Sequence, residues 1–304
     1  MQKGPTTPKG FRDIEPNLAK KRREVMNKIA SVLENYGFVP VETPTLEFAD
    51  TLLGKYGEEE KLIYQFTDRG NRKLALRYDL TVPLARFVAN NLGLLSPSFS
   101  RYQIGQVFRG ENPQKGRFRE FTQFDFDTVG SNDLTEDAKI IAAAIEISRK
   151  LGLPKAIMAV NDRKFFQDVP LEVIRAWDKY YKIGLDGVKE ELKRNGLTKE
   201  EVQKNLRLLE KPETQDFAKV SQILKTTWNL KEGQDFFFDK YLARGLDYYT
   251  GLIFELKPKD LPQDLSIGGG GRYDNLIGMF AKRQIPAVGF SFGLDRLLEI
   301  LSAS

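Results

Sequence analysis

One stretch narrows the possible folds more than any other: Arg101–Gly130, RYQIGQVFRGENPQKGRFREFTQFDFDTVG, which reads as two amphipathic strands joined by a charged loop. Side chains alternate across a strand, so from Arg117 onward Arg119, Phe121, Gln123, Asp125 and Asp127 share one face, while Phe118, Phe124 and Phe126 lie on the other. A simple core strand rarely puts three polar groups in succession on one face between bulky aromatics, so this strand separates polar chemistry from core. Its partner, ending in Val107-Phe108-Arg109, joins it as a hairpin, which pairs the two antiparallel. The loop brings Glu111, Gln114, Lys115 and Arg117 beside Arg109, a mixture of cationic forks and acceptors suited to bidentate contact with phosphate.

The rest of the chain extends that sheet. Between Pro16 and Tyr36 the apolar residues Val25, Met26, Ile29, Val32 and Leu33 recur at helical spacing, and Gly37 follows as a left-handed cap. Residues 38–44 read as a strand whose prolines suit an edge, and Leu74–Thr81 as a short strand ending in polar residues. Asp79 and Thr81 at its end either face a pocket or cap a turn. Leu134–Leu151 is a helix that opens at Ser131 or Asp133 and closes at Gly152. From about residue 162 to 231 strand signals give way to charged helical segments, with a capping box at Thr198-Lys199-Glu200-Glu201. Strands return at Phe236–Phe238, Leu252–Glu255 and Ala287–Phe292, before a last helix containing Arg296. Hairpins rather than βαβ alternation argue for an α+β fold, an antiparallel β-sheet flanked by helices with a helical insertion. The expected organisation is 1–161 and 232–304 as two parts of one core, with 162–231 inserted between them.

Composition excludes several chemistries. The chain has no cysteine and no histidine among 304 residues, which removes disulfides, thiolate metal sites, imidazole acid/base catalysis and Ser-His-Asp triads. Carboxylates, arginines, lysines and tyrosines remain, a set suited to phosphate chemistry in which positioning and charge neutralisation do the catalysis. The net charge of +5 permits a polyanionic partner without demanding one. No run of about 20 apolar residues marks a membrane span, so a cytoplasmic location is expected.

Residues 108–123, FRGENPQKGRFREFTQ, resemble motif 2 of class II aminoacyl-tRNA synthetases in the form found in the histidyl-tRNA synthetase family. Four further segments resemble that family in its order: KGFRD (9–13), LARGLDYYTG (242–251), GGGGRYD (268–274) and AVGFSFGLDRL (287–297). The resemblance implies the class II catalytic fold, with the first helix and strand as motif 1 and the contact of a homodimer. It implies an ATP-dependent, Mg2+-assisted enzyme that activates L-histidine and transfers it to tRNA(His).

By the same resemblance, Arg109 and Arg296 take the α- and γ-phosphates, Arg117 a further phosphate contact, and Glu111 the adenine amino group. Asp79, Thr81 and Gln123 take the α-amino group of histidine, Asp127 and Tyr249 its imidazole, with Tyr248 beside them. Arg244 contacts the substrate carboxylate and the α-phosphate, and Gln114 and Arg119 lie toward the tRNA acceptor end. No metal ligand is assigned to a side chain. From spacing alone, Arg244 could equally form a structural ion pair, the tyrosine pair could be packing, and the glycine run reads as a backbone turn. Many bacterial members carry glutamate where this chain has Asp79 and Asp127. Family members also continue past the third motif into an anticodon-binding domain that this sequence is not expected to contain.

Two rival readings remain. One is the synthetase-like regulatory subunit of ATP phosphoribosyltransferase, whose short length it shares but whose motif 2 loop is degraded. The other is a basic nucleic-acid-binding module, against which stands the lack of an aromatic-rich basic stripe.

Overall fold

A computed structural model describes residues 6–113, 117–153, 155–166, 169–210, 212–243, 248–258 and 266–303, with the side chains of 208, 209 and 303 left undescribed. The chain opens with α1 (Pro16–Asn35), whose Val25, Ile29, Val32 and Leu33 are buried and whose end is followed by Gly37 at φ 79°. Then come β1 (Val39–Pro40), β2 (Leu46–Phe48), α2 (Ala49–Leu52), β3 (Gln65–Thr67), β4 (Lys73–Leu76) and α3 (Thr81–Asn91). The hairpin is β5 (Phe99–Phe108) and β6 (Glu120–Val129), followed by α4 (Leu134–Lys150) and β7 (Ala156–Asp162). Helices α5 (Leu171–Trp177), α6 (Tyr180–Arg194), α7 (Lys199–Leu206) and α8 (Gln215–Thr227) precede β8 (Phe236–Phe238). The chain ends with β9 (Leu252–Pro258), β10 (Gly268–Arg272), α9 (Gly278–Ala281), β11 (Ala287–Gly293) and α10 (Leu294–Ala303).

Among the described residues, eight strands form one sheet in the order β1-β5-β6-β11-β10-β9-β7-β8. The six central strands are antiparallel, as the hairpin pattern predicts, but both edges are parallel pairings, β1 with β5 and β7 with β8, so the sheet is mixed. The expected strand over 38–44 shortens to Val39–Pro40 because proline cannot donate to a ladder. The strand expected over Leu74–Thr81 stops at Leu76 and lies in a separate sheet, β2-β4-β3, while Thr81 begins α3.

The two faces of the main sheet divide the labour. Phe124 and Phe126 of β6, Phe290 and Phe292 of β11, Phe254 and Leu256 of β9 and Met158 and Val160 of β7 pack with α1, α4, α8 and α10 in the largest core cluster. Helix α8 belongs to this core through Phe217, Val220 and Leu224, whereas Val173, Trp177, Val188 and Val202 of α5, α6 and α7 form a separate cluster with Phe165 and Phe166. A third cluster joins α2, α3 and β4 to Tyr273 and Ala287 at the end of the sheet. The opposite, polar face of the sheet is left as the floor of a cleft.

The sequence GGGGR, which reads as a turn, is instead the strand β10 in the middle of the sheet. A Cβ on Gly270 would stand 1.9 Å from the Gly289 carbonyl oxygen, and one on Gly268 2.6 Å from the Phe290 ring. The glycines are needed for close approach of β10 to β11, not for flexibility.

Candidate active site

Register places the polar side chains in rows across the sheet. Asp127 of β6 lies opposite Arg101 of β5 and Gly289 of β11, and Asp125 opposite Gln103 and Ser291. Gly269 and Gly271 of β10 continue the rows toward Glu255 and Ile253 of β9. With no side chains on residues 268–271 of β10, a cleft of about 1050 Å³ opens over the floor. Its lining includes Asp79, Thr81, Arg109, Glu111, Arg117, Gln123, Asp127, Tyr248, Tyr249 and Arg296, ten of the residues expected at the site.

One end of the cleft is cationic. The Arg109 guanidinium donates to the Tyr78 carbonyl at 3.2 Å and stacks over the Tyr78 ring at 4.3 Å and the Phe121 ring at 5.1 Å. Such stacking holds the fork in one plane in the wall of the cleft. Arg117 lies 3.9 Å from Glu111. Burial, and then the neighbouring Arg117 cation, lower the pKa of Arg296, whose Nη1 donates to the Ser266 carbonyl at 3.4 Å. Two guanidinium groups that repel each other in a half-buried cleft, only partly offset by Glu255, Glu299 and Glu111, become more favourable with an anion between them. Arg296 is held there by its neighbour Asp295, whose carboxylate pairs with Arg12 of the N-terminal segment and with Arg22 of α1 and accepts the Thr122 amide at 3.1 Å. Four sequence-distant segments are thus fastened at one carboxylate.

The other end is anionic. Asp79 is buried, which raises its pKa, and its Oδ1 accepts from the Tyr56 hydroxyl at 2.9 Å and from the Thr81 and Val82 amides at 3.1 and 3.0 Å. It therefore caps α3 and faces the cleft at once, so both readings of this residue apply. Asp127 Oδ1 accepts from the Tyr273 hydroxyl at 2.5 Å, while Oδ2 lies 2.8 Å from Nη2 of Arg101, a charge contact without hydrogen-bond alignment. Burial raises the Asp127 pKa, and Arg101 opposes that rise. Gln123 Nε2 donates to Ser291 Oγ at 3.2 Å. Tyr249 packs over Gly271, and its ring lies 4.8 Å from that of Tyr248.

Not every expected residue is in the cleft. Arg119 donates to the Glu111 carbonyl at 2.9 Å and the Lys9 carbonyl at 3.4 Å, which fastens the N-terminal segment to the hairpin, and it is absent from the lining. Arg244 and Gln114 lie outside the described residues. Conversely, Tyr56, Arg101, Asp125, Tyr273, Glu255 and Ser291 shape the site without having been expected in it. The alternation of β6 already put Asp125 on the polar face. Nothing near Tyr56 or Arg101 in sequence signals their roles, because their partners are distant along the chain. Among the described residues no group of three acidic side chains could hold a metal ion.

Comparison with known proteins gives a consistent set. The histidyl-tRNA synthetase family model matches residues 10–179 and 185–297. Histidine–tRNA ligase of Aeropyrum pernix is 43% identical over 97% of this chain and 74% of its own length, and that of Helicobacter pylori strain P12 is 40% identical over 97% and 75%. The crystal structure of histidyl-tRNA synthetase from Nostoc sp. PCC 7120 superposes with a TM-score of 0.82 at 31% identity, covering 99% of this chain and 76% of that one. A Bacillus halodurans protein described as an ATP phosphoribosyltransferase regulatory subunit/histidyl-tRNA synthetase superposes at 0.81 with 22% identity over 97% of this chain and 83% of its own, a likeness of fold alone.

Proposed function

The chain belongs to the histidyl-tRNA synthetase family, and from that premise we propose that the cleft on the polar face of its sheet joins histidine to ATP as histidyl-adenylate and then passes the histidine to tRNA(His). The observation that carries this reading is the division of one cleft into an end with three arginines, Arg109, Arg117 and Arg296, and an end with buried carboxylates. A triphosphate fits the first and an α-ammonium and imidazole the second. The family is an ATP-using one. Mg2+, carried in with the triphosphate, would supply further neutralisation of phosphate charge, and no side chain is assigned as its ligand.

In the first step a carboxylate oxygen of histidine attacks the α-phosphorus of ATP. The new P–O bond forms as the bond to the β-phosphate breaks, and pyrophosphate leaves. The nucleophile is already ionised at neutral pH, so no general base is needed and a chain without histidine loses nothing. What must be overcome is the repulsion of two anions. Arg109, locked against Tyr78 and Phe121, would meet the α-phosphate, Arg296 and Arg117 the outer phosphates, and Glu111 the adenine amino group. Arg244 would neutralise the substrate carboxylate as it approaches. Asp127, with its charge partly balanced by Arg101, and the Tyr249 hydroxyl would take the two imidazole nitrogens, while Asp79, Thr81 and Gln123 would take the α-ammonium. A pocket that leaves polar groups unpaired with any other side chain discriminates by about four to five orders of magnitude. In the second step the terminal ribose hydroxyl of the tRNA attacks the carbonyl carbon of the histidyl-adenylate, the bond from that carbon to the AMP oxygen breaks and AMP leaves, and Gln114 and Arg119 would meet the acceptor end.

A homodimer is part of this reading. Val39, Leu46, Phe48 and Phe66 are exposed at the β1 edge and on the small sheet, apolar surface that a second copy would cover. Among the described residues no helix is long and apolar enough to cross a membrane, and the cytoplasm is the compartment that this activity implies. The regulatory-subunit reading rests on a shared fold alone and leaves Arg109, Arg117 and Arg296 without a task.

The test is exchange of labelled pyrophosphate into ATP by the purified chain with each amino acid in turn. Exchange with histidine alone is expected. Exchange that is independent of histidine, or absent although histidine binds, would overturn the catalytic reading.

A further inference from the structure

The cleft floor contains one more carboxylate than the roles above use. Asp125 sits on β6 midway between Gln123 and Asp127, lines the same cleft, and is only 3% exposed. Ser291 on the facing strand is its hydrogen-bond partner. Its Oδ1 has no hydrogen-bond partner among the described residues, and neither has Oε1 of Gln123, two residues along the same face. Both atoms are acceptors, and both are buried. A buried acceptor without a donor is strongly unfavourable and is retained where a ligand supplies the donor.

The neighbouring groups define what that ligand must carry. Asp79 is engaged by Tyr56 and two amides, and Asp127 by Tyr273 through Oδ1, its Oδ2 lying 2.8 Å from Arg101 without a hydrogen bond and left for the imidazole. The charges acting on Asp125 are Arg101 from β5, Arg77 from the turn after β4, Asp127 on β6 and Asp79 before α3, while β11 presents Ser291 and β10 presents glycine. Arg109 acts on Asp79 as well, so what the floor lacks is a donor for the buried oxygens that have no partner. An ammonium group offers three donors and no acceptor; two suit the orphaned Gln123 Oε1 and Asp125 Oδ1, and the third remains for the Asp79 and Thr81 side of the pocket. We infer that Asp125 is a histidine-binding residue, which together with Gln123 Oε1 accepts N–H bonds from the substrate α-ammonium and holds it by charge. This rests on the reading of the cleft as the histidine site. Burial pushes the Asp125 carboxyl up to about 7, with Arg101 opposing and Asp127 adding to the rise. The free protein therefore carries part of a proton there at neutral pH, and the arriving ammonium displaces it.

Asp125→Asn retains shape and the bond to Ser291 while removing the charge. Histidine binding to wild type and variant is measured by calorimetry near pH 7 in two buffers of different ionisation heat, alongside the KM values for histidine and ATP in pyrophosphate exchange. Protons gained or lost by the imidazole of the ligand enter both titrations alike. The variant is expected to bind histidine about tenfold to a hundredfold more weakly, to raise the KM for histidine far more than that for ATP, and to release fewer protons than wild type. Unchanged affinity with unchanged proton release overturns the inference, since a residue that only positions Ser291 would behave that way. Failure of the wild type itself to exchange with histidine overturns the reading of the cleft instead. Should Asp125→Asn not fold, Ser291→Ala decides. Loss of the hydroxyl bond to the ionised carboxylate should move the pH midpoint of histidine affinity upward, and an unmoved midpoint refutes the assignment.

Discussion

If Asp125 is held in the fold for its charge, the ligand-free protein should be more stable without that charge, and by an amount that depends on pH. The unfolded carboxyl releases its proton near 3.8, whereas the folded one retains it to about 7. Folding therefore takes up a proton between those values, so stability falls as pH rises from about 4 to about 7 and stays low above. At about 1.4 kcal/mol per pH unit, the interval from 3.8 to about 7 amounts to about 4 kcal/mol. Asparagine at this position cannot ionise and lacks that dependence. Urea unfolding followed by circular dichroism, without histidine, should give a variant-minus-wild-type difference that grows by about 3 kcal/mol between about pH 4.5 and pH 8.5, the first part of the loss having occurred below pH 4.5. Asp79 and Asp127 titrate in both proteins and largely cancel from that difference. Parallel curves across this range would show that burial does not penalise the Asp125 charge, and the argument from an unanswered carboxylate would fall with it.

Other substitutions separate structural from chemical roles. Arg272→Met leaves Asp137 of α4 buried without its cation and should lower stability by about 3–5 kcal/mol in urea titrations, most of which a second change, Asp137→Leu, should restore. Gly270→Val would begin a side chain 1.9 Å from the Gly289 carbonyl inside the sheet and should prevent soluble folding. By contrast Gly152→Ala, with nothing within 4 Å but φ at 90°, should lose only about 1–2 kcal/mol. Arg296→Ala and Arg244→Ala should each reduce histidine-dependent pyrophosphate exchange by about a hundredfold or more with unaltered circular dichroism, and retained exchange would remove the residue from the phosphate-handling set.

How much of this was legible in the sequence depended on how local each cause is. Alternation fixes the faces of β6, apolar spacing fixes α1 and α4, and the Thr198–Glu201 capping box forms at the start of α7, because each is settled within one or two turns of chain. Strand direction at the sheet edges is not local. β1 and β8 are short and pair in parallel with strands far along the chain, and nothing in Val39-Pro40 or Phe236–Phe238 encodes that direction. The charged helical stretch from 162 to 231 reads as one insertion, yet α8 at its end packs on α4 in the main core, since an amphipathic stripe does not name its partner. The same holds in the cleft. Asp79, Asp127, Tyr273 and the arginines are visible as residue types, but the sequence does not show that Arg101, 26 positions before Asp127 (127 − 101), and Tyr273, 146 after it (273 − 127), both answer the Asp127 carboxylate.

The glycine run sharpens the point, because glycine shows no alternation and so hides a strand from any reading of side chains. Along residues 268–271 of β10 the absence of side chains is the structural requirement on both faces. On the core face, Gly268 and Gly270 let Phe290 and the backbone of β11 close over the strand. On the cleft face, Gly269 and Gly271 leave the floor open between Ser291 and Glu255, where Tyr249 lies against Gly271 at a distance that a Cβ, 2.9 Å from its ring, would not permit. Gly289 on β11 repeats the device, since its Cβ would fall 1.8 Å from Oδ1 of Asp127. The substrate cavity is thus made by omission across two adjacent strands, and the carboxylates of β6 reach it because nothing on β10 or at Gly289 stands in front of them.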